Sequence, residues 1–270
     1  MNNTPRVSII MGIFNCGNTL RESLTSIVNQ TFRGWELIMC DDGSSDNTYE
    51  IASEFAKKYP EKIRLLKNEK NMGLNYTLNK CADCAQGVYI ARQDGDDISE
   101  LNRLEKEITF LDTHPEYAFV GSNMTLFDDA GSWGKTEVGG EVKKETLGKC
   151  NPFMHPTVVI RRAAFESVGK YSVGDNLLRV EDYHLWLKLY IAGYKGYNLD
   201  DTLYQYRDDR NAFAKRTIKN RVNMFHTMQW GISQLNLNAW YRLYPCKQLL
   251  LILFPSGLYS FLHKKKWSAK

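Results

Sequence analysis

The sequence predicts an α/β protein: a mainly parallel sheet flanked by helices, with a basic helical extension at its C-terminal end. Three observations carry that expectation. Apolar runs of strand length alternate with segments of helical period over the first 122 residues, the mark of strands buried on both faces. Polar clusters recur where those strands end, and in parallel sheets ligands bind outside the carboxyl ends of the strands. Charge is divided: residues 210–270 hold eleven Lys and Arg and no Asp or Glu, so a chain total of +4 leaves −7 on residues 1–209.

The elements follow in order. "RVSIIMGIF" is a continuous apolar run of strand length. In "NTLRESLTSIVNQT", Leu20, Leu24, Ile27 and Val28 share a helical face, and Thr19 with Glu22 has capping-box spacing. "WELIMCDD" reads as a strand, 46–59 as a helix with Ile51, Phe55 and Tyr59 in register, and "IRLLKN" as a strand. A helix over 75–86, the strand "GVYIAR", a helix striped by Leu101, Leu104, Ile108 and Leu111, and the strand "YAFVGSNMTLF" complete the alternation. Beyond about residue 128 the pattern loosens. "DDAGSWGKTEVGGE" is Gly-rich, as in a surface hairpin or mobile loop. "HPTVVIRR" reads as a strand, 181–193 as a helix and 216–235 as a long basic helix.

With 270 residues, 43% hydrophobic and 24% charged, the chain has the composition of a soluble globular protein with a sizeable core. "MNNTPRVSIIMGIFN" has only a strand-length apolar run and no signal-peptide pattern, so the six cysteines are expected as reduced thiols in a cytosol. Cys81 and Cys84 form a C-x-x-C without a second ligand pair, and Leu74, Leu78, Cys81 and Ala85 make a helical stripe. Packing is the expected use.

Four polar loops close the strands: Asn15 after the first, "DDGSSDNT" after the second, "NMGLN" with Gly73 after the third, and "QDGDD" after the fourth. In "CDDGSSDNTYE", Asp41 and Asp42 enter a Gly-Ser-Ser turn, and Asn47 with Glu50 can cap the next helix. Backbone N–H groups at such a helix start suit phosphate, and a strand-end carboxylate suits a base or ribose hydroxyl. The same composition also makes an ordinary turn with two solvated acids. Asp94, Asp96 and Asp97 repel one another unless a cation shares their charge, and hard oxygens at a strand end fit Mg²⁺ or Mn²⁺ bound with substrate phosphates. An EF-hand starting at Asp94 would need Gly where Ser99 stands, and a phosphatase nucleophile would normally sit on the first strand. In "VEDYHLWLKLYIAG", Asp182 shares a stripe with Leu185, Trp186, Leu189 and Tyr190, so it projects from the buried side of the first helical turn. An inward acid there can serve as a general base, whereas acids in a first turn also serve as plain dipole partners. Glu181 is rotated away from that stripe. His155 in "FMHPTVVI" can reach an acceptor or a phosphate or be structural, and Arg207 in "YQYRDDRN" can face the site or form a solvated ion pair.

Taken in order, "VSIIMGIFN", "SIVNQTFRGWELIMCDDGSSDNT", "NMGLNYTLN", "GVYIARQDGDDISELNRLEKEITFL", "HPTVVIRRAAFESVGKY" and "VEDYHLWLKL" resemble the family 2 inverting glycosyltransferases of the Rossmann-like GT-A fold. Within that family they resemble bacterial enzymes of surface-polysaccharide assembly, such as O-antigen, capsule and exopolysaccharide. The resemblance covers about residues 1–207. It implies a nucleotide-sugar donor, UDP-glucose or UDP-galactose first, held by Asn15, Asp41, Asp42, Gly73, Asp94 and Asp96. Asp42 matches the position that contacts the base. Asp94, Asp96 and Asp97 occupy the D-x-D region, which holds Mn²⁺ or Mg²⁺ on the donor diphosphate and contacts the ribose. Asp96 and Asp97 are the expected metal ligands, with the direct ligand left open. Asp182 matches the catalytic base and Glu181 its supporting neighbour. The implied chemistry is a single displacement: the metal neutralises the leaving nucleoside diphosphate, the base takes a proton from the acceptor hydroxyl, and the anomeric carbon inverts. One departure stands in the motif itself. Leu101 occupies a position where the family has Pro, with Ser99 still available as a cap.

The resemblance divides the chain into a catalytic domain over 1–209 and a basic C-terminal region over 210–270. The nucleotide-sugar half is about 1–122 and the acceptor half about 123–209. A basic end suits an anionic partner, whether membrane lipid, phosphorylated substrate or nucleic acid. In "LLLILFPSGLYSFLHKKKW" the apolar run over 249–254 falls short of the ~20 residues of a spanning helix. Lying on an anionic membrane or packing on the body are its two readings. The expected partners are therefore a UDP-sugar and a saccharide or lipid-diphosphate-linked acceptor, at the cytoplasmic membrane surface and without nucleic acid. Two rivals differ in sequence. A sugar-1-phosphate nucleotidyltransferase wants a Gly-rich N-terminal loop with Arg and Lys, which "MGIFNCGNTL" does not supply. A non-catalytic glycan-binding relative has no need of the full set of acids.

Overall fold

The computed structural model describes residues 4–208 and 217–253. The expectations for the tail beyond 253 and for residues 209–216 lie outside the described residues. The elements are β1 (Val7–Ile13), α1 (Gly17–Val28), β2 (Trp35–Asp41), α2 (Thr48–Lys58), β3 (Ile63–Lys67), α3 (Leu74–Ala82), β4 (Tyr89–Arg92), β5 (Ile98–Ser99) and α4 (Arg103–Thr113). They continue with β6 (Phe119–Asp128), β7 (Gly131–Lys135), β8 (Gly140–Glu141), α5 (Lys144–Leu147), β9 (Val159–Arg161), α6 (Arg162–Ser167), α7 (Glu181–Ile191), β10 (Gly196–Arg207), α8 (Ile218–Gln234) and α9 (Cys246–Leu250).

One sheet joins the strands in the order β3-β2-β1-β4-β9-β6-β10-β5, with β7 on β6 and β8 on β10. The four strands β3-β2-β1-β4 run parallel, as do β6 and β10, while β9 lies antiparallel between β4 and β6. Strand alternation divides the core between the two faces. Ile9, Met11, Leu37 and Met39 point to the side covered by α1, α2 and α4. Ile10, Ile38 and Cys40 point to the side covered by α3, α6 and α7. On that second side Trp186 stacks on Phe119 with ring centroids 5.1 Å apart, which fixes α7, and with it Glu181 and Asp182, against the sheet.

Several local expectations change. The Thr19–Glu22 capping box does not form. Thr19 donates instead to the carbonyls of Cys16 and Gly95, each at 3.1 Å. The first N–H groups of this helix region find acceptors on the next loop, Cys16 N–H on Thr48 Oγ1 at 2.8 Å and Gly17 N–H on Asp46 Oδ2 at 3.0 Å. At α2, Asp46 rather than Asn47 with Glu50 receives the Thr48 N–H, at 3.1 Å. Ser99 does not cap α4. It lies in β5, donating to Gln93 Oε1 at 2.7 Å and accepting from Arg103 Nη1 at 2.9 Å. Leu101, striped in sequence with Leu104, stands outside the helix and is 58% exposed.

"HPTVVIRR" divides into a 3-10 turn, His155–Thr157, and a shorter strand, followed by α6. The Gly-rich 128–141 segment is a hairpin of β6 and β7, with β8 beyond it on β10. β10 was not legible in sequence. Its register shifts between Asn198 and Thr202 put Asp200 and Asp201 on the surface and break the alternation. Cys81 is fully buried, and Cys81 and Cys84 are free thiols, consistent with packing.

Candidate active site

The acidic loops lie at the carboxyl ends of β1, β2 and β4. Gly43, at φ +78, brings the 41–44 turn so close to residues 70–71 that a Cβ would stand 2.9 Å from the Asn71 nitrogen. Asp42 then clamps the two loops together. Its Oδ1 accepts from Asn68 Nδ2 and from the Met72 N–H, both at 2.8 Å, and its Oδ2 accepts from the Gly73 N–H at 2.9 Å. Asp41 is fully buried. Its Oδ1 accepts the Ser44 N–H at 3.3 Å, and its Oδ2 is enclosed without a hydrogen-bond partner. Asn15 sits in the left-handed region at φ 48 and ties the β1 loop to the same turn, its Oδ1 accepting the Ser45 N–H at 2.9 Å.

The "DGDD" loop is separated into distinct roles by geometry. Asp94 Oδ1 pairs with the buried Arg92 at 2.8 Å. The Asp94 N–H donates to the Tyr204 hydroxyl at 3.2 Å, and its carbonyl accepts from Ser23 at 2.7 Å. Asp96 is exposed, whereas Asp97 is fully buried. Asp97 Oδ1 accepts the Arg207 N–H at 2.8 Å, and its Oδ2 is enclosed without a partner. Burial, then the charges of Asp94 and Asp96, hold the Asp97 carboxyl well above the usual carboxylate range. Partial desolvation and Asp94 raise Asp96 as well. Arg207 reaches over this loop, with Nη1 2.7 Å from Asp129, Nη2 3.4 Å from Glu22 and Nε on the Asp96 carbonyl at 3.3 Å.

Three carboxylates within four positions, with Asp96 and Asp97 held above their usual range and Asp96 exposed, fit a divalent cation bound at Asp96. Mg²⁺ and Mn²⁺ typically take one or two protein carboxylates and complete their shell from substrate phosphates and water. Among the described residues no group of three or more His, Cys, Asp or Glu forms a self-sufficient cage. The remaining ligands would come from the bound substrate.

Asp182 opens α7. Its Oδ2 accepts from Asn151 Nδ2 at 2.7 Å. Burial, then the adjacent Glu181, pushes its carboxyl up to about 6. Arg92, paired with Asp94 of the "DGDD" loop, lines a cavity with Tyr171 and with Leu185 and Trp186 of the same helix α7. His155 is buried beneath the cleft rather than on its surface. Its Nε2 stands 2.7 Å from the Tyr171 hydroxyl, its ring meets Trp186 edge-on, and burial then Arg92 hold it neutral, well below the usual histidine range. Thus Asn15, Asp41, Asp42 and Gly73 form one corner and Asp94, Asp96, Asp97 and Arg207 a second, with Glu181 and Asp182 in the first turn of α7, the helix that lines a cavity with Arg92. Arg92, Asn151 and Tyr171 were not singled out in sequence. The available signal for Arg92 was a lone cation ending the apolar strand "GVYIAR".

The model of the family described as "Glycosyl transferase family 2" matches residues 8–169. A Bacillus subtilis protein that carries the name glycosyltransferase EpsE is 38% identical over 98% of this chain and 96% of its own length. An Escherichia coli enzyme, named UDP-Glc:alpha-D-GlcNAc-diphosphoundecaprenol beta-1,3-glucosyltransferase WfgD, is 33% identical over 68% of this chain and 69% of its own length. Among solved structures, the Pyrobaculum calidifontis mannosyltransferase PcManGT, in complex with GDP-Man and Mn²⁺, superposes at a TM-score of 0.65 with 18% identity, covering 94% of this chain and 78% of that one.

The Asp42 clamp gives a direct stability test. Asp42→Ala leaves the Met72 N–H without its acceptor and the Asn68 amide and Gly73 N–H with only Thr77 and Asn71, and is expected to cost about 1–3 kcal/mol. The cost is read as a lowered urea midpoint at unchanged m value. A midpoint equal to that of the parent protein would show that the clamp does not hold the loops.

Proposed function

The chain belongs to glycosyl transferase family 2 and has the GT-A fold, and we propose that it is an inverting, metal-dependent enzyme moving a hexose from a UDP-sugar to a saccharide on a lipid diphosphate, in the assembly of a bacterial surface polysaccharide. UDP-glucose and UDP-galactose are the first donors to try. One observation carries the reading: Arg92, paired with Asp94 at the end of β4, lines one cavity with Tyr171 and with Leu185 and Trp186 of α7, the helix whose first turn carries the desolvated acid Asp182. A diphosphate leaving group needs neutralisation, an acceptor hydroxyl needs a base, and this cleft has groups for both.

In this reading residues 1–122 hold the donor and residues 123–209 bring the base and the acceptor. Asp42 shapes the nucleotide pocket through its clamp, and its Oδ2, which accepts one N–H, keeps a second acceptor site for the base. Asn15, Asp41 and Gly73 complete that corner, and Asp94 supports the ribose side. A bound Mn²⁺ or Mg²⁺ would neutralise the departing diphosphate, with exposed Asp96 as its protein ligand. Asp97, expected as a second ligand, is better placed as the buried anchor of the Arg207 backbone. Asp182 takes the proton of the acceptor hydroxyl, held in place by Asn151, with Glu181 keeping its affinity for that proton high. Arg207 closes the donor rim.

Support for the acceptor class comes from WfgD, whose name states a diphosphoundecaprenol acceptor and a UDP-Glc donor. PcManGT holds Mn²⁺ with its nucleotide sugar. The described end of the chain suits an anionic membrane surface: Trp240, Leu243 and Leu250 are 49%, 71% and 58% exposed, with Arg242 and Lys247 among them. Among the described residues no helix is long and apolar enough to cross a membrane. The site of action we propose is therefore the cytoplasmic membrane face, with the enzyme bound peripherally.

Asp182→Asn is expected to lower turnover by about 10²–10⁴-fold while leaving UDP affinity near that of the parent enzyme. Because the base works ionised and its carboxyl is raised to about 6, the rate should fall as pH drops through about 6 and level off above it. Release of UDP across pH measures both, and near-normal turnover of the Asn variant would remove the base assignment. Separately, Asp96→Asn should abolish Mn²⁺-dependent strengthening of UDP binding in calorimetry. Asp97→Asn, whose Oδ1 can still accept the Arg207 N–H, should retain it. The reverse pattern would exchange their roles.

A further inference from the structure

We propose that Arg92 is a positioning residue for the transfer reaction: its buried guanidinium, anchored on Asp94, is the cation shared by the donor loop and the base-bearing turn of α7. The inference rests on the assignment of Asp182 as the base.

Arg92 ends β4, a strand of otherwise uncharged residues, and only 8% of it is exposed. An arginine so deeply enclosed stays charged and needs acidic partners. It finds one directly, Asp94 Oδ1 at 2.8 Å. The other side of the guanidinium faces the base helix. Arg92 lines a cavity of about 10 Å³ with His155, Tyr171 and the α7 residues Leu185 and Trp186. Its Nε, and Trp186 Nε1, are buried without protein acceptors. Nη2 is thus committed to the donor loop, while Nε is a buried donor without an acceptor on a residue that shares its cavity with the helix whose first turn carries Glu181 and Asp182.

The groups that bear on Asp182 can be named from each element around it. Glu181 adds negative charge from the same turn, and the Tyr183 N–H donates from the next position. Asn151 donates from the segment before the 3-10 turn. Arg92 supplies the positive charge from β4. Tyr171, from the loop before α7, is neutral and bonded to His155. Neutral His155 adds no charge beneath them. Removing Arg92 leaves two carboxylates of α7 and those of the "DGDD" loop around one low-dielectric floor. The base then holds its proton to higher pH. A merely structural arginine would lower stability and leave the protonation of Asp182 unchanged.

The test compares Arg92→Gln and Arg92→Lys in the full chain, measuring kcat and the donor KM against pH by UDP release over a range of donor concentrations with Mn²⁺ saturating. Arg92→Gln should move the acidic limb upward by about one pH unit, up to a tenfold lower rate below the limb, with recovery toward the parent rate near pH 8. Arg92→Lys keeps the charge but loses the planar fork on Asp94. Its limb should stay in place while the donor KM rises. A uniform rate loss in Arg92→Gln with an unmoved limb would overturn the proposal. If the Gln variant does not fold, Arg92→Lys decides: an unmoved limb with raised donor KM supports the shared cation, and a displaced limb, or an unchanged KM, refutes it. Failure of the base assignment is separately visible, as normal turnover by Asp182→Asn.

Discussion

Arg92 and Asp94 form an ion pair at the end of β4, and the arrangement of the cleft depends on it. Asp96 and Asp97 lie within three positions of Asp94, and Glu181 and Asp182 come in from α7. Carboxylates at this density raise one another's proton affinity, the more so where water is excluded. A fixed cation below and the anionic, metal-bearing substrate we propose above would give such a cleft two ways to balance its charge. The fold supplies the first through β4 and leaves the second to the ligand.

The same constraint explains why the loops are tied so firmly to one another. Asp42 uses both oxygens to join the ends of β2 and β3, and Asn15 does likewise between β1 and the 41–45 turn. Asp97 holds the last residue of β10 through its backbone. Binding energy is lost when loops must be ordered on encounter, and preorganised loops avoid that loss. On the other side Asp182, the base we propose, is fixed by Trp186 packing on Phe119 and by Asn151 on the carboxylate itself. The buried Arg92 pairs with Asp94 of the first set of loops and shares a cavity with Leu185 and Trp186 of α7.

Much of this was legible in sequence, for identifiable reasons. Strands buried on both faces leave continuous apolar runs, and helices with one buried face leave a stripe, so the elements from β1 to α4 could be read directly, except the two-residue β5, which was taken for part of a helix cap. Asp42, Asp94, Asp96 and Asp182 were singled out because acids at strand ends and on the buried side of a first helical turn can hold a ligand or serve as a base, although turns and helix dipoles also use them. Other features depend on contacts far apart in sequence. The first N–H groups of α1 are satisfied from Asp46 and Thr48, so no local capping pattern could reveal them. β10 is interrupted by a surface bulge at Asp200 and Asp201 and loses its alternation. The role of His155 turned on Tyr171, sixteen residues away. The separation of exposed Asp96 from buried Asp97 required the backbone of Arg207, 110 residues beyond Asp97.

The central claim is a single displacement at the anomeric carbon, with Asp182 activating the acceptor hydroxyl over a metal-held diphosphate. Proton NMR of the first product formed from an α-linked UDP-hexose tests it most directly. A newly formed β-linkage, with the large anomeric coupling of a glucose- or galactose-configured sugar, is the predicted result. An α-linked product would require a second displacement or a front-face mechanism, and would contradict the account.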